Sequence, residues 1–195
     1  ALYAFLQEVH GEGVKIITIE NPVEYKVEGI VQTQVEGDYT FSSGLRALLR
    51  QDPDVILIGE VRDAEVAETA MHAAQTGHLV LTTMHTNSAV AAFVRLMDLG
   101  VDARMFGSAV NLILGQRLLR LLCKECKVAH SPTAEEQRII TTVLSDHPHP
   151  DTVPVATEIY AAPGCTVCNQ TGFKGRSGIY EAILMDEAVE AVVHN

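Results

Sequence analysis

The sequence predicts an α/β fold, a mostly parallel β-sheet flanked by helices. Three observations predict it. Short apolar runs rich in Val, Ile and Leu ("VKIITIE", "DVILIG", "LVLTTM") are bounded by Gly, Asp or Pro, as buried strands are. Stretches with apolar residues at helical spacing separate these runs. Strand and helix therefore alternate, which demands crossover connections, and such connections are right-handed and build parallel sheets. At 195 residues and 47% hydrophobic, the chain is long enough to bury a substantial core.

Each element has a local cause. Leu2, Phe5, Leu6 and Val9 recur at helical spacing, and His10, Gly11 and Gly13 end that helix before the strand "VKIITIE". "GIVQTQV" (29–35) alternates as a second strand, and Ser42 or Ser43 is read as the cap of a helix running through Arg50. The turn Asp52, Pro53, Asp54 feeds a strand from Val55 to Ile58. Asp63 then caps "AEVAETAMHAAQT", Gly77 stops it, and "LVLTTM" is the next strand. Ser88 caps a helix to Leu99 that Gly100 ends, and a long apolar helix is expected over roughly 104–122. Five of the seven prolines lie between Pro132 and Pro163, so "SDHPHPDTVP" reads as a flexible loop. "SGIYEAILM" reads as a late strand and "DEAVEAVVHN" as the opening of a helix.

Composition excludes some functions. Acidic residues outnumber basic ones 25 to 14, net −11, which disfavours nonspecific attraction to nucleic acid or to an anionic bilayer. Apolar runs fall well short of the ~20 residues that span a bilayer, and no signal-peptide pattern opens the chain. A soluble, intracellular protein is expected. The opening "ALYAFLQEVH" begins without Met inside a helical pattern, as a piece of a longer protein would.

All four cysteines form two C-x-x-C pairs, "CKEC" (Cys123, Cys126) and "CTVC" (Cys165, Cys168). Two intervening residues let both thiolates of a pair reach one ion, so the pattern points to tetrahedral zinc held by four cysteines. With four protein ligands no coordination position stays open, and the role is structural. The 38 residues between the pairs exceed the usual zinc-ribbon gap, so the ion would tie a looped-out insert to the body. A redox dithiol, disulfides in a secreted protein and unliganded core thiols are the alternatives.

Glu24, Glu60 and His85 each stand at or just beyond the carboxyl end of an apolar strand. That edge of an open parallel sheet is where ligands bind. A carboxylate there can orient or deprotonate water or hold Mg²⁺ through its water shell, and a histidine can contact a terminal phosphate. For any one of them a solvated loop side chain is the plainer reading; together they point to one crevice. A phosphate-binding G-x-x-x-x-G-K-[ST] loop is missing from the sequence. His78 precedes the same strand as His85 and reads equally as a capping or packing residue. Arg46 and Arg50 share a helix face and suit phosphates or an acid across an interface, with a plain exposed stripe as the alternative. Arg117, Arg120, Lys124 and Lys127 form a local basic surface in an acidic chain, or equally balance nearby carboxylates.

These segments resemble the motor ATPases of bacterial type II secretion and type IV pilus assembly over nearly the whole chain. "TIENPVEY" resembles that family's aspartate box, "LRALLRQDPDVILIGEVRD" its Walker B segment and "TGHLVLTTMHTN" its histidine box, in the same order. "GQRLLRLLCKEC" and "GCTVCNQTGFKGRSGIYE" resemble the zinc-bearing insert of its secretion and pilus-extension branch. The resemblance implies a RecA-like P-loop NTPase core truncated at its N-terminus, with Glu24 as general base, Glu60 as Walker B acid, and His78 and His85 as the histidine-box pair. It implies subunit or nucleotide contacts for Arg46 and Arg50, and a weaker motif near the site for Gln116 and Arg117. It also implies ATP and Mg²⁺ as cofactors, a homo-hexamer, and a cytoplasmic location at the inner membrane through a membrane platform. One departure is Asn21, where the family has Asp: an acceptor oxygen stays but a charge is lost.

In that family the helix resembling "ALYAFL" follows the phosphate loop directly, so the fragment alone is expected neither to bind ATP tightly nor to hydrolyse it. The expected organisation is a core over 1–122, a zinc-binding four-cysteine insert with its Pro-rich loop over 123–176, and a return strand and helix over 177–195. Two rival readings are a zinc-stabilised module that docks a membrane-platform or regulatory partner without catalysis, and a thiol oxidoreductase using a C-x-x-C pair.

Overall fold

The computed structural model describes residues 1–147, 149, 152–153 and 157–193. The chain divides into two compact units, one of residues 1–115 with 181–195 and one of residues 116–180.

The first unit is built on a four-stranded parallel sheet of β1 (Ile16–Glu20), β2 (Val31–Gln34), β3 (Val55–Ile58) and β4 (Leu79–Thr82), in the order β2-β1-β3-β4. Registers place Ile19 beside Ile58 and Ile58 beside Thr82, so the carboxyl ends of β1, β3 and β4 line up at one edge. The central strands β1 and β3 are buried throughout, which is why they read as continuous apolar runs rather than alternating ones. Alternate side chains serve two cores. Ile17, Ile19, Ile56 and Ile58 pack with Leu45 and Leu48 of α2 (Phe41–Leu49), with Val66 and Met71 of α3 (Ala64–Gln75), and with Phe93 and Leu96 of α4 (Ala89–Asp98). On the opposite face Ile16, Val55 and Leu57 pack with Leu6 of α1 (Leu2–Val9).

The local signals hold in most places. The Asp63 side chain accepts from the Val66 amide and the Ser88 side chain from the Ala91 amide, each capping its helix, and Gly77 (φ 101°) and Gly100 (φ 87°) follow the helix ends. The cap of α2 is Thr40 rather than Ser42 or Ser43. Thr40 accepts from the Ser43 amide at 3.1 Å while Ser43 Oγ accepts from the Thr40 amide at 2.9 Å, a capping box that puts Ser43 inside the first turn.

The expected long helix over 104–122 is corrected. A 3₁₀ turn (Ala103–Met105) and a single turn of helix, α5 (Phe106–Ala109), give way to a strand, β5 (Leu112–Leu122), which pairs with β8 (Phe173–Leu184). Pairing with a strand far along the chain overrides a local pattern compatible with either state. Gly115 suits a strand in close quarters: a Cβ there would lie 2.5 Å from the Glu181 carboxylate, which itself accepts from the Ala89 amide at the start of α4. "SGIYEAILM" is a strand as expected, and "DEAVEAVVHN" becomes α7 (Glu187–Val193), its last two residues lying outside the described ones.

The second unit holds an antiparallel pair, β6 (Val128–His130) with β7 (Ile159–Ala161), and the helix α6 (Ala134–Ser145). The sequence reading missed this helix. Thr133 and Glu136 form a capping box, a T-x-x-E signal overlooked beside the prolines. The expected loop "SDHPHPDTVP" falls partly outside the described residues.

Candidate functional site

β3 carries its apolar run to Ile58 and then delivers Glu60 to the carboxyl edge of the sheet, with only 9% of the residue exposed. Two basic side chains attend this buried acid. Arg62 Nε lies 2.6 Å and His85 Nε2 3.4 Å from the same oxygen, Oε2. His85 reaches it from the segment after β4, which is bound to the β3 end by Thr83 Oγ1 donating to the Gly59 carbonyl at 2.6 Å and by the Val61 amide donating to the Thr83 carbonyl at 3.0 Å. Arg62 and His85 are themselves mostly exposed, so Glu60 is a buried acceptor whose partners stand on its solvent side.

A second buried acid, missed in the sequence, ends β1. Glu20 is 4% exposed and accepts from Thr18 Oγ1 at 2.5 Å, from Gln32 Nε2 at 3.3 Å and from the Tyr3 hydroxyl. Burial, then the hydrogen bond and charge of Glu20, push the Tyr3 hydroxyl up to about 12. The signal was available: "TIENPVEY" contains two acids, and the one on the strand itself is the buried one.

Glu24 stands exposed on the loop that follows β1, and its carboxylate makes neither hydrogen bond nor ion pair among the described residues. The structure thus brings Glu60 and His85 into contact and leaves Glu24 free on a neighbouring loop. His78 lies before β4, at the opposite end of that strand from His85, where its Nδ1 bonds the Ala73 carbonyl at 3.0 Å at the end of α3. Arg46 is exposed on α2 and ion-paired with Glu65 of α3; Arg50, also exposed, is the C-cap of α2. Gln116 and Arg117 lie exposed on β5 in the second unit.

The four cysteines converge. Their sulfurs all lie within 4.8 Å of one another, with Cys123–Cys165 and Cys126–Cys168 at 3.9 Å and Cys165–Cys168 at 3.8 Å. A tetrahedron of thiolates about 2.3 Å from a zinc ion has edges of about 3.8 Å, so the donor set fits that ion. Cys123 and Cys168 are buried, and the Cys165 and Gly172 amides lie 3.2 and 3.3 Å from Cys168 Sγ. Burial opposes the Cys168 thiolate, but these amides and the neighbouring thiols outweigh it and bring its pKa down to about 6. Cys126 moves the other way, pushed up to about 12 by burial and by sharing hydrogen bonds with the other thiols.

The family model described as Type II/IV secretion system protein matches residues 1–195. The chain belongs to this secretion family. Curated relatives agree: the chain is 43% identical to the type II secretion system protein E of Aeromonas hydrophila, 42% to the type II secretion system ATPase E of Vibrio cholerae and 44% to the type II secretion system protein E of Pseudomonas aeruginosa, over 196 residues in each case. All of this chain is covered, and 37% of each relative, so the chain spans little more than a third of their length. Among solved structures it is similar to the pilus retraction motor PilT with bound ADP, with a TM-score of 0.64 and 26% identity over 98% of this chain and 45% of that one. The ATPase DotB of Legionella pneumophila shares the fold, with a TM-score of 0.55 over 91% of this chain and 38% of that one. The secretion-family fold is thus the mostly parallel sheet with flanking helices that the sequence predicts. Among the described residues no helix is long and apolar enough to cross a membrane.

Proposed function

We propose that this chain is the C-terminal ATPase portion of a hexameric motor that hydrolyses ATP, with Mg²⁺, to drive type II protein secretion or type IV pilus assembly. One observation carries the reading. A buried acid, Glu60, is held by His85 and Arg62 at the carboxyl edge of a parallel sheet, in a chain of the secretion family. In this reading Glu60 is the Walker B acid that holds Mg²⁺ through water, His85 senses the terminal phosphate, and Glu24, exposed on its loop, is the general base. Arg46, Arg50, Gln116 and Arg117 serve nucleotide or subunit contacts, and His78 completes the histidine box. The cysteines hold one structural zinc. The motor works at the cytoplasmic face of the inner membrane, bound to a membrane platform.

The topology supports a phosphate loop in the part of the parent that precedes α1. Helices α2 and α3 cover one face of the sheet and α1 the other. A right-handed crossover through α1 into β1 requires its preceding strand on the β4 side, where the outer edge of β4 is unpaired among the described residues. That strand would deliver its loop beside Glu60. Without it the chain neither binds ATP tightly nor turns it over.

The test is Glu60→Gln in the full-length parent. Loss of turnover and of secretion with retained platform binding supports the motor; undiminished turnover refutes it. Calorimetry with Mg-ATP on residues 1–195 alone should show no binding, and micromolar affinity there would overturn the assignment of the phosphate loop.

A further inference from the structure

The loop from Asn21 to Val27 has irregular backbone, and irregular backbone needs partners for its N–H and C=O groups. Two glutamines supply them. Gln32 and Gln34 are two apart on β2 and so share a face, and the register sets them opposite Thr18 and Glu20, on the α1 side of the sheet. Gln34 Oε1 accepts from the Val23 amide at 3.0 Å. Gln32 does more: its Oε1 accepts from the Val27 amide at 2.8 Å, while its Nε2 donates to the Tyr25 carbonyl at 3.2 Å and to Glu20 at 3.3 Å. From α1, the Tyr3 ring stacks on Tyr25 with centroids 4.2 Å apart, and its hydroxyl donates to Glu20. Glu24 therefore sits between two residues, Val23 and Tyr25, whose positions are fixed from below.

We propose that Gln32, Gln34 and Tyr3 are positioning residues for the loop that presents Glu24, with buried Glu20 as the shared acceptor that joins β1, β2 and α1. The clamp fixes where a carboxylate carried on irregular backbone stands. Tyr3 adds a link of its own: its ring on Tyr25 and its hydroxyl on Glu20 tie α1 both to the Glu24 loop and to the end of β1. The inference rests on Glu24 being the general base.

Steady-state kinetics on the full-length parent separate the two. Glu24→Gln should abolish turnover; if it does not, the base assignment fails whatever the clamp does. With that loss in hand, Gln32→Leu should lower kcat by about 10- to 100-fold with KM for ATP nearly unchanged, the scale expected when a reacting group is displaced by an ångström or so. Tyr3→Phe keeps the stacked ring and removes only the hydroxyl, so it preserves the packing of α1 and serves as the second, milder variant, with a smaller fall in kcat expected. Amide exchange adds a readout independent of turnover: Val27 exchange should quicken in Gln32→Leu and Val23 exchange in Gln34→Leu. The inference is overturned if Tyr3→Phe and Gln32→Leu keep wild-type kcat, if their loss appears in KM instead, or if exchange in the loop is unchanged.

Discussion

His85 Nε2 lies 3.4 Å from Glu60 Oε2, across the adjoining ends of β4 and β3. The acid is buried and the histidine is 85% exposed in its side chain, so the pair joins a packed group to a solvated one. Replacing His85 by Ala removes almost no packing. Thermal stability should therefore stay within about 0.5 kcal/mol of the wild type, as for other surface changes, while turnover of the full-length parent falls. Parallel melting curves and ATPase rates check both halves.

The cysteine cluster predicts about one zinc per chain in reduced protein, with tetrahedral cobalt absorption on exchange. Cys168→Ser removes a buried thiol of the cluster and should abolish stoichiometric metal, measured by elemental analysis, and loosen residues 116–180 in proteolysis. Because the ligands are thiolates, acid should release the ion by protonating them. A dithiol oxidoreductase predicts the reverse result, redox activity and no metal.

Tyr3 is raised from 10.0 to about 12, by burial first and then by Glu20. A group whose folded pKa exceeds its unfolded value stabilises the fold fully below the unfolded value. That contribution is present below pH 10 and is lost as pH rises from 10 to about 12. In an ultraviolet phenolate titration, Tyr3→Phe should delete the component with this late midpoint. Glu20→Gln should move it toward the ordinary range.

Phe106 is fully buried and packs on Phe93 with ring centroids 5.5 Å apart. Phe106→Ala should cost about 3–5 kcal/mol in denaturant unfolding, the range for emptying an aromatic site.

Glu181 Oε2 accepts the Ala89 amide at 2.9 Å, at the first turn of α4, where a carboxylate also meets the positive end of the helix. Glu181→Ala should destabilise the first unit by about 1 kcal/mol, read by denaturation.

Legibility tracked the range of the interaction that fixes each feature. The caps at Asp63 and Ser88, the stops at Gly77 and Gly100, and the apolar runs of β1 and β3 are set by neighbours a few residues away, and they could be read. The C-x-x-C pairs also declared themselves, because knuckle geometry lies within four residues. Residues 112–122 could not be read, since leucines at mixed spacing suit a helix or a strand until β8 arrives to pair with them.

The order of residues was enough for the α/β class, the burial of β1 and β3, most helix boundaries and the two cysteine pairs, since period, capping chemistry and C-x-x-C spacing are local properties. Which acids are buried, and which histidine meets one, had to wait for the packed chain. Packing set Glu20 beneath the loop of exposed Glu24, placed His85 against Glu60 and left His78 at the other end of β4. Strand register and helix docking join residues far apart along the chain, and no local pattern carries that information.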